Sequence, residues 1–583
     1  MNQKGSTLLL VLIISTVFMI LGLSILTMAL NGSSRTQLRS EAFGTMYKGK
    51  EELEFIVATF KGEVEDPSKV KLSYELTMDS YNNSLLGIVD QLKVNYPELT
   101  VTDQTPLFIP NQLERDQSFT RIFEFSLPAE SDTYSKEVKK RVILTPAPSF
   151  LDYALGSYGL DESEGNLDLN GSSNIKGSII ANKLSVKNSA NFKDKLGKRL
   201  TGTNYPGILG DVFVQNELSL YNYPAMDPVE KTSVNNVKTI NDLLNYFYLD
   251  SRPSFQRLNE EFVEVQFDQS FLFKFNEQLN VSKKFGLSDF QDEAQLIKDL
   301  NKELSFTVNP GDIDRLGVLK LDRVDFSKPI VSKEAIQMMS SDQAITFEHD
   351  IIVTEDLTIT SINNNPITLN GNIVVVGDLE LNAYNVPIYH RGTITVLGNL
   401  RINGNDVLFN NTDNNTVYFD STIYNWKESF ISNINIKGRD DKQLVLLSRD
   451  NITITRINDL YSYTNQYENS SSLEEIMSGS FLNNTVSPLD AYFYTEKKAE
   501  LYGVGSLFYI NGGVFAKESL EVNAVRGNIE EVNEVLSIPD ALAQNGRKTR
   551  FQVIHDPNVL LDQLSRLPLS EKLRVIVDET TIQ

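Results

Sequence analysis

A repeat with a spacing of 21 to 22 residues constrains the fold of this chain more than any other feature. One copy starts at Gly371, the next at Gly392, and an earlier one at His349, which stands in the glycine slot. The pattern is Gly-x-φ-x-φ-x-small/polar-x-Leu-x-φ, where φ is apolar, and further copies start at Gly210 and Gly512. Two short alternating strands repeated at this spacing predict a parallel β-solenoid, in which each rung buries its inward face against its neighbours.

A twisted antiparallel β-sandwich is the competing interpretation, because its strands also alternate. The fixed spacing of the copies favours the solenoid. In the solenoid register, Ile373, Val375, Ile394 and Val396 are predicted to point inwards on consecutive rungs.

A long apolar run near the N-terminus predicts a membrane-spanning helix. Residues 5–34 carry no charge, and the run from Leu8 to Leu30 is 23 residues long. At 1.5 Å per residue, a helix of this length crosses a hydrocarbon core of ~30 Å. The side chains predicted to contact the membrane or neighbouring helices are Leu8, Leu9, Leu10, Val11, Leu12, Ile13, Ile14, Phe18, Ile20, Leu21, Leu23, Ile25 and Leu26.

The residues at the start of this run resemble the N-terminus of a type IV prepilin. In that family a short basic leader ends in glycine, a peptidase cuts after it, and the apolar residues begin a long helix. Lys4-Gly5 followed by Ser6 fits this pattern. The resemblance implies that prepilin peptidase cuts between Gly5 and Ser6, and that other pilins and the pilus assembly machinery are the partners of the mature protein.

One position departs from the pattern of the major pilins. They usually carry glutamate at the fifth mature position, which is Leu10 in this chain. The PilX-type N-terminal family of minor pilins shares this lack, and also a downstream segment that Ala42-Phe43, Gly49 and Glu51 resemble. The resemblance therefore implies a minor pilin or pilus assembly subunit, at a tip or initiation position rather than in the shaft.

An uncut single-pass anchor, carrying a surface adhesin, is the alternative interpretation, because a glycine before an apolar run also arises by chance. Lys4 precedes the run and Arg35 and Arg39 follow it, so the positive-inside rule does not decide the orientation. The size and acidity of the remaining chain favour an extracellular C-terminal region. Both interpretations place the protein in the cell membrane with a single pass.

The chain is predicted to be mainly β, with a long N-terminal helix and an interrupted parallel solenoid. Apolar residues at helical spacing, among them Leu53, Ile56 and Phe60, extend the helix beyond the membrane as a spine. The predicted segments are a prepilin-type leader at 1–5, a transmembrane and spine helix at 6–66, a small α+β domain at 67–148, a first solenoid part at 149–222, an inserted α+β subdomain at 223–345, a second solenoid part at 346–534 with an excursion near 455–500, and a C-terminal cap at 535–583.

Composition excludes several classes of function. A net charge of −23 argues against nucleic-acid binding, which needs clustered cations. The absence of cysteine excludes disulfides and thiolate metal sites, and three histidines leave little material for histidine chemistry. We therefore expect a non-enzymatic protein with no catalytic residue, cofactor or metal site.

Three candidate positions have simple structural interpretations. His349 is predicted to be a turn residue and His390 a surface residue. The oxygen-rich loop at 403–406 fits either a corner turn or a Ca²⁺ site.

A carbohydrate-binding or carbohydrate-degrading β-helix is the alternative function, with a surface glycan as its ligand. Such a protein needs an acidic or arginine-lined cleft across several rungs. Asp378 and Asn399 occupy equivalent rung positions, as do Glu380 and Arg401, so each pair is expected side by side on an outer face. A solvated charge ladder explains these pairs without a ligand.

The processing site gives the first testable prediction. Gly5→Asp or Gly5→Leu should block maturation, because the resembled peptidase site requires a small residue before the cut. The variant should keep its leader and stay in the membrane fraction, which mass spectrometry of the N-terminus measures. Normal processing of either variant would remove the prepilin interpretation.

Overall fold

The computed structural model divides the chain into two compact units, one formed by 1–146 with 571–583 and the other by 147–570. More residues lie in strands than in helices, and most of the strands belong to one large parallel sheet. The model describes residues 3–583 apart from 67, 71–77, 111, 113–114, 116–118, 132–133, 162, 225–226, 229, 233–242, 252, 259–261, 406–414, 441, 456–465, 469–471, 480–487, 534, 558–566, 569, 571, 578–579 and 583.

The first unit packs a long helix on a small antiparallel sheet. The N-terminal helix spans Gln3–Glu65, and its second half buries Leu53, Ile56, Phe60 and Val64. The Phe60 ring lies 5.0 Å from that of Phe125 on the sheet. The other helices are Met78–Asn95 and Thr105–Phe108, and the strands are Thr100–Asp103, Arg121–Ser131, Tyr134–Thr145, Arg574–Val577 and Thr581–Ile582.

The first half of the N-terminal helix has no apolar partner in the chain. The side chains of Leu9, Leu10, Phe18 and Ile25 are each more than half exposed. The apolar part has a mean hydropathy of 2.8, so it is long enough and apolar enough to cross a membrane. The hydroxyl groups of four residues donate to helix carbonyls three or four residues earlier, so they are not left unbonded in an apolar environment. These residues are Ser15, Thr16, Ser24 and Thr27.

The second unit is built on three stacks of parallel strands, the arrangement of a β-solenoid. Stack 1 consists, in spatial order, of Ile330–Ser332, Ile351–Val353, Ile373–Val375, the ends of Ile388–Val396 and Thr416–Asn425, Leu444–Ser448, the ends of Leu489–Thr495 and Phe508–Ala516, Leu155–Ser157, the starts of Ile179–Lys187 and Asp211–Tyr221, and Ser254–Gln256.

The other two stacks follow the same spatial order. Stack 2 consists of Ile336–Met339, Leu357–Ser361, Leu379–Ala383, Leu400–Gly404, Ser429–Ser432, Ile452–Thr455, Lys498–Gly503, Ser519–Ala524, Asn166–Gly171 and the ends of Ile179–Lys187 and Asp211–Tyr221, with Glu230–Thr232 added antiparallel. Stack 3 consists of two separate series of paired strands. The first series contains Ile345–Phe347, Ile367–Leu369, the starts of Ile388–Val396 and Thr416–Asn425, and Asn435–Gly438. The second series contains the starts of Leu489–Thr495 and Phe508–Ala516, then Phe551–Ile554, Asn174–Lys176 and Gly207–Leu209.

The predicted register is confirmed. Ile373 pairs with Ile394 and Val375 with Val396, and all four side chains are buried in the core that runs along the solenoid. The pairing within the three stacks is parallel except at Glu230–Thr232, which excludes the β-sandwich alternative.

The order of the rungs differs from a simple reading of the chain. The last rung of the second part, which contains Phe508–Ala516 and Ser519–Ala524, stacks directly on the first rung of the first part. The two parts therefore form one continuous solenoid in which the N-terminal rungs lie beyond the C-terminal ones. A rung at 330–347 also belongs to the solenoid, so the insertion ends earlier than the predicted 345.

The C-terminal segment is not one cap on the solenoid. Phe551–Ile554 is an internal strand of stack 3, and Arg574–Val577 pairs with Tyr134–Thr145 in the first unit. This pairing covers an edge of the antiparallel sheet. An open edge would be a site for unwanted pairing with other chains. Residues 558–566 of the predicted cap and residues 71–77 of the predicted α+β domain lie outside the described residues.

The insertion covers the outer side of stack 1. Its helices Phe267–Leu279 and Glu293–Glu303 belong to the same apolar cluster as Val374 and Val445, the outward residues of stack 1. Trp426 packs there against Phe271, with ring centroids 4.9 Å apart.

The remaining described elements of the second unit are short. They are the helices Leu473–Gly479 and Ala541–Gln544, the hairpins Ser189–Asp194 with Gly197–Gly202 and Glu530–Val532 with Val535–Ser537, and 3₁₀ turns at Ser149–Asp152, Leu244–Tyr246, Tyr248–Asp250, Leu287–Gln291, Pro310–Asp312 and Leu321–Arg323.

The buried register predicts how the solenoid responds to charge. Val396→Asp should abolish folding of the solenoid, with a loss of more than about 4 kcal/mol, because an unpaired carboxylate would lie in the apolar core. Thr453→Lys is the control, since Thr453 is exposed between the buried Ile452 and Ile454. Thermal unfolding followed by circular dichroism measures both, and a cooperative transition of Val396→Asp near the wild-type temperature would refute the register.

Candidate functional site

A cleft opens at the corner where the rungs pass from stack 3 to stack 1. The glycine slot of the repeat forms its floor, because a Cβ atom on Gly371 would lie 2.2 Å from the carbonyl oxygen of His349. Gly392, one rung further, has φ +142° and faces the carbonyl of Gly371 in the same way. The repeat therefore requires glycine here so that the rung backbones can approach each other.

The cleft has a volume of about 400 Å³ and crosses three rungs. Apart from Pro329 and the two glycines, its lining residues have polar or charged side chains, and they remain partly open to solvent. The residues that line it are Pro329, Glu348, His349, Asp350, Asn370, Gly371, Asn372, Arg391 and Gly392.

A ladder of polar side chains continues from the cleft along stack 3. Asn370 Nδ2 donates to Glu348 Oε1 at 2.8 Å, and Arg439 Nη1 donates to Asn370 Oδ1 at 2.8 Å. Arg391 Nε donates to Asp420 Oδ2 at 2.9 Å. Acidic, amide and basic groups therefore alternate from rung to rung, and the bonds between them hold their orientation. We call the five residues the polar ladder.

A second column lies two positions earlier on the same strands. Strand pairing aligns Thr346, Thr368, Tyr389, Tyr418 and Lys437 in this column. Side chains two apart on a strand face the same way, so this column runs beside the polar ladder. The rings of Tyr389 and Tyr418 stack with centroids 4.8 Å apart and planes 14° from parallel. The polar ladder and this second column form what we call the ladder face.

Several polar atoms at the cleft have no hydrogen-bond partner among the described residues. Asp350 Oδ1 accepts from the backbone of Asn372 at 2.7 Å, and Asn372 Oδ1 accepts from the backbone of Thr393 at 3.0 Å. Asp350 Oδ2, Asn372 Nδ2 and Arg391 Nη1 make no bond to the part of the chain that the structure describes. These groups are available to a ligand in the cleft.

Two sequence-predicted histidine positions can now be compared with the structure. His349 lies at the corner as expected of a turn residue and lines the cleft. The surface position predicted for His390 is wrong, because its side chain points inwards and is 1% exposed. Its Nε2 lies 3.1 Å from the carbonyl oxygen of Gly371, and its Nδ1 lies 2.6 Å from the hydroxyl oxygen of Ser421.

The charge pairs predicted from the repeat lie where expected. Glu380 pairs in register with Arg401, and Asn399 donates its backbone N–H to Asp378 Oδ1 at 2.7 Å. Arg401 bonds to Asp378 and covers the Phe430 ring at 5.1 Å. Among the described residues no group of three or more His, Asp or Glu side chains could hold a metal ion, and residues 406–414 lie outside them.

The predicted processing and membrane residues all lie on the N-terminal helix. Gly5 and Ser6 fall inside it, since it begins at Gln3. The described residues of the predicted set, Leu9, Leu10, Val11, Leu12, Ile13, Ile14, Phe18, Ile20, Leu21, Leu23, Ile25 and Leu26, are exposed, and the side chain of Leu8 lies outside the description.

A buried acidic group joins the insertion to the solenoid elsewhere. Burial raises the pKa of Glu496, although the Tyr494 hydroxyl and Lys517 act to lower it. Lys517 Nζ lies 3.1 Å from Glu264 on the insertion and 3.7 Å from Glu496. Burial acts to lower the pKa of Lys517, but the two carboxylates outweigh it and raise that pKa. The cluster is compact and internally paired, so it serves cohesion rather than ligand binding.

Comparison of the chain with family models, with curated proteins and with solved structures finds no match in any of the three.

The buried glutamate predicts a pH-dependent stability. Since folding raises its pKa, Glu496 contributes most to stability at low pH, and this contribution falls as the pH rises through the raised value. Glu496→Gln still accepts from Tyr494 but never ionises. Its melting temperature relative to wild type should therefore be higher at about pH 8 than at about pH 4.

Glu518→Gln is the matched control, because Glu518 is more open and its carboxylate pairs with Lys497 at 2.7 Å. This control should show no such gain at high pH. An equal or opposite trend for the two variants would contradict the role given to burial.

Proposed function

We propose that the protein is a non-enzymatic minor pilin or type IV pilus assembly subunit. It is inserted in the membrane before assembly and presents its acidic solenoid outside the cell. Prepilin peptidase is its processing enzyme, and other pilins and the assembly machinery are its partners.

The observation that carries the proposal is the division of the N-terminal helix. One half exposes a continuous apolar surface, while the other half buries Leu53, Ile56 and Phe60 against an antiparallel sheet. An exposed apolar helix of this length is unfavourable in water, so it needs lipid or the helices of other subunits. The packed half fixes the direction in which the apolar half leaves its unit.

The local sequence supports the pilin form of this proposal over a plain anchor. Lys4-Gly5-Ser6 resembles a prepilin cleavage site, and the cut would leave the entire apolar run on the mature chain. Such a product stays in the membrane until it is drawn into a filament. An ordinary cleaved signal segment would instead remove that run.

An uncut anchor that carries an adhesin is the second candidate, and the N-terminus distinguishes the two. Mass spectrometry of the protein purified from its own cells should find a chain that begins at Ser6. A chain that retains Met1 would favour the anchor. A glycan-release assay with the same preparation tests the non-enzymatic proposal, since release of reducing ends would overturn it.

The residue at position 10 predicts where the subunit lies. A mature amine in an apolar filament core is costly unless a neighbouring carboxylate neutralises it, and Leu10 supplies none. The protein should therefore be scarce in sheared filaments relative to the major pilin, and its deletion should lower the number of filaments rather than their strength.

Quantitative mass spectrometry of purified filaments measures the stoichiometry. Leu10→Glu should leave the fold intact, because position 10 is exposed on the helix and lies far along the chain from the packed half. Near-equal stoichiometry of the wild-type protein with the major pilin along the shaft would show that Leu10 carries no such meaning.

A further inference from the structure

We propose that the ladder face and its cleft bind a linear, neutral oligosaccharide. The proposal concerns the solenoid alone and holds for either interpretation of the N-terminal helix.

The shape of the site favours an extended ligand with a repeating unit. The cleft crosses three rungs, and the two columns of the ladder face continue beyond it to Lys437 and Arg439. Rungs of a parallel stack repeat about every 4.8 Å, so equivalent groups recur at a fixed interval along the axis. A chain of similar residues can contact several rungs at once, whereas a small compact ligand would use one.

The side chains offer the chemistry that recognises hydroxyl groups. Asp350 and Glu348 provide acceptors, while Asn372 and Arg391 provide donors, and all four line the same cleft. A sugar hydroxyl both donates and accepts, so it can bridge an acceptor on one rung and a donor on the next. The bonds within the ladder orient these groups before a ligand arrives, which lowers the entropy lost on binding.

The stacked tyrosines supply an apolar platform beside these groups. Tyr389 and Tyr418 remain half-buried on the outer side of stack 3, and Tyr389 lies two residues before Arg391 on one strand. Aromatic rings with a polar edge are suited to surfaces that are apolar on one side and wet on the other. The C–H faces of pyranose rings are such surfaces.

Charge distinguishes a neutral from an acidic glycan. Within the polar ladder, the basic Arg391 and Arg439 are matched in number by the acidic Glu348 and Asp420, and Arg391 is paired with Asp420 and Asp440, so the ladder carries no excess positive charge. The net charge of the chain is −23, which repels a polyanion at long range. A neutral ligand meets neither obstacle.

The test measures binding of neutral and acidic oligosaccharides to the full chain in lipid nanodiscs, which avoids detergents with sugar head groups. The neutral probes are the hexasaccharides of cellulose, chitin, xylan and amylose, and the acidic probe is hexagalacturonate. Isothermal titration calorimetry should show saturable binding of at least one neutral probe and none of the acidic probe.

Variants locate the site. Tyr418→Ala and Arg391→Ala should each weaken binding, and the pair together by at least about tenfold, which corresponds to about 1.4 kcal/mol. Arg391→Lys keeps the charge but loses the planar donor pair, so it should resemble Arg391→Ala. The matched control is Arg401→Ala on stack 2, because Arg401 and Arg391 have side-chain exposures of 42% and 40% and each pairs with an aspartate. This control should bind within about twofold of wild type.

Melting temperatures of all variants show whether each one folds. If Tyr418→Ala fails to fold, Tyr418→Leu replaces it, since leucine fills the space without an aromatic face. Absence of saturable binding across the neutral panel, preference for the acidic probe, or equal weakening by Arg401→Ala would each overturn the proposal.

Discussion

Parallel pairing between rungs is the interaction on which the rest of the solenoid depends, because a single rung has no core of its own. The pairing also joins distant parts of the chain: Leu520 pairs with Leu167, and Asn170 donates to Asn523 across 353 residues. The first rung of the chain therefore obtains its second neighbour only after residues 508–554 have folded. Such non-local contacts are expected to make folding slow, since loop closure must precede the pairing that rewards it.

This order of rungs explains the insertion. The chain leaves the solenoid after Ser254–Gln256 and re-enters it at Ile330–Ser332, at the opposite end of the stacks. The segment between them packs its aromatic residues along the outer side of stack 1, so both sides of those strands are buried. Among the described residues, no segment covers stack 3 in this way at the ladder face. The same connection that completes the fold thus determines which side of the solenoid stays accessible to a ligand.

Much of the local fold could be predicted from the sequence, because inward residues recur at a short, fixed interval. The repeat predicts the burial of Ile373 and Val396 and the alignment of Glu380 with Arg401. The spatial order of rungs could not be predicted in this way, since the repeat reports only the nearest neighbours along the chain. The cover over stack 1 does have a signal in the sequence, because Ile373-Val374-Val375 is apolar throughout, which indicates a strand buried on both faces.

The candidate site was harder to predict for a similar reason. The cleft combines the glycine slots with residues that flank them, and the template treats the flanking positions as variable. Tyr389 and Tyr418 pair in register although they lie 29 residues apart in the chain, which departs from the regular interval of 21 to 22 residues. His390 was misplaced because its neighbour Arg391 is polar, although strict alternation after Ile388 places it inwards.

The junction between the two solenoid parts contains a charge where a rung core would need only apolar residues. Arg526 is fully buried, donates to Glu468 and to Asn174 at 2.7 Å each, and lies over the ring of Tyr248 at 3.5 Å. Burying a guanidinium is costly unless each of these partners is present. The partners come from the excursion, the first solenoid part and the insertion, so these three contacts of one side chain form only when all three segments have reached their places. Apolar burial would accept any rung as a neighbour, whereas the buried arginine specifies which rung closes the seam.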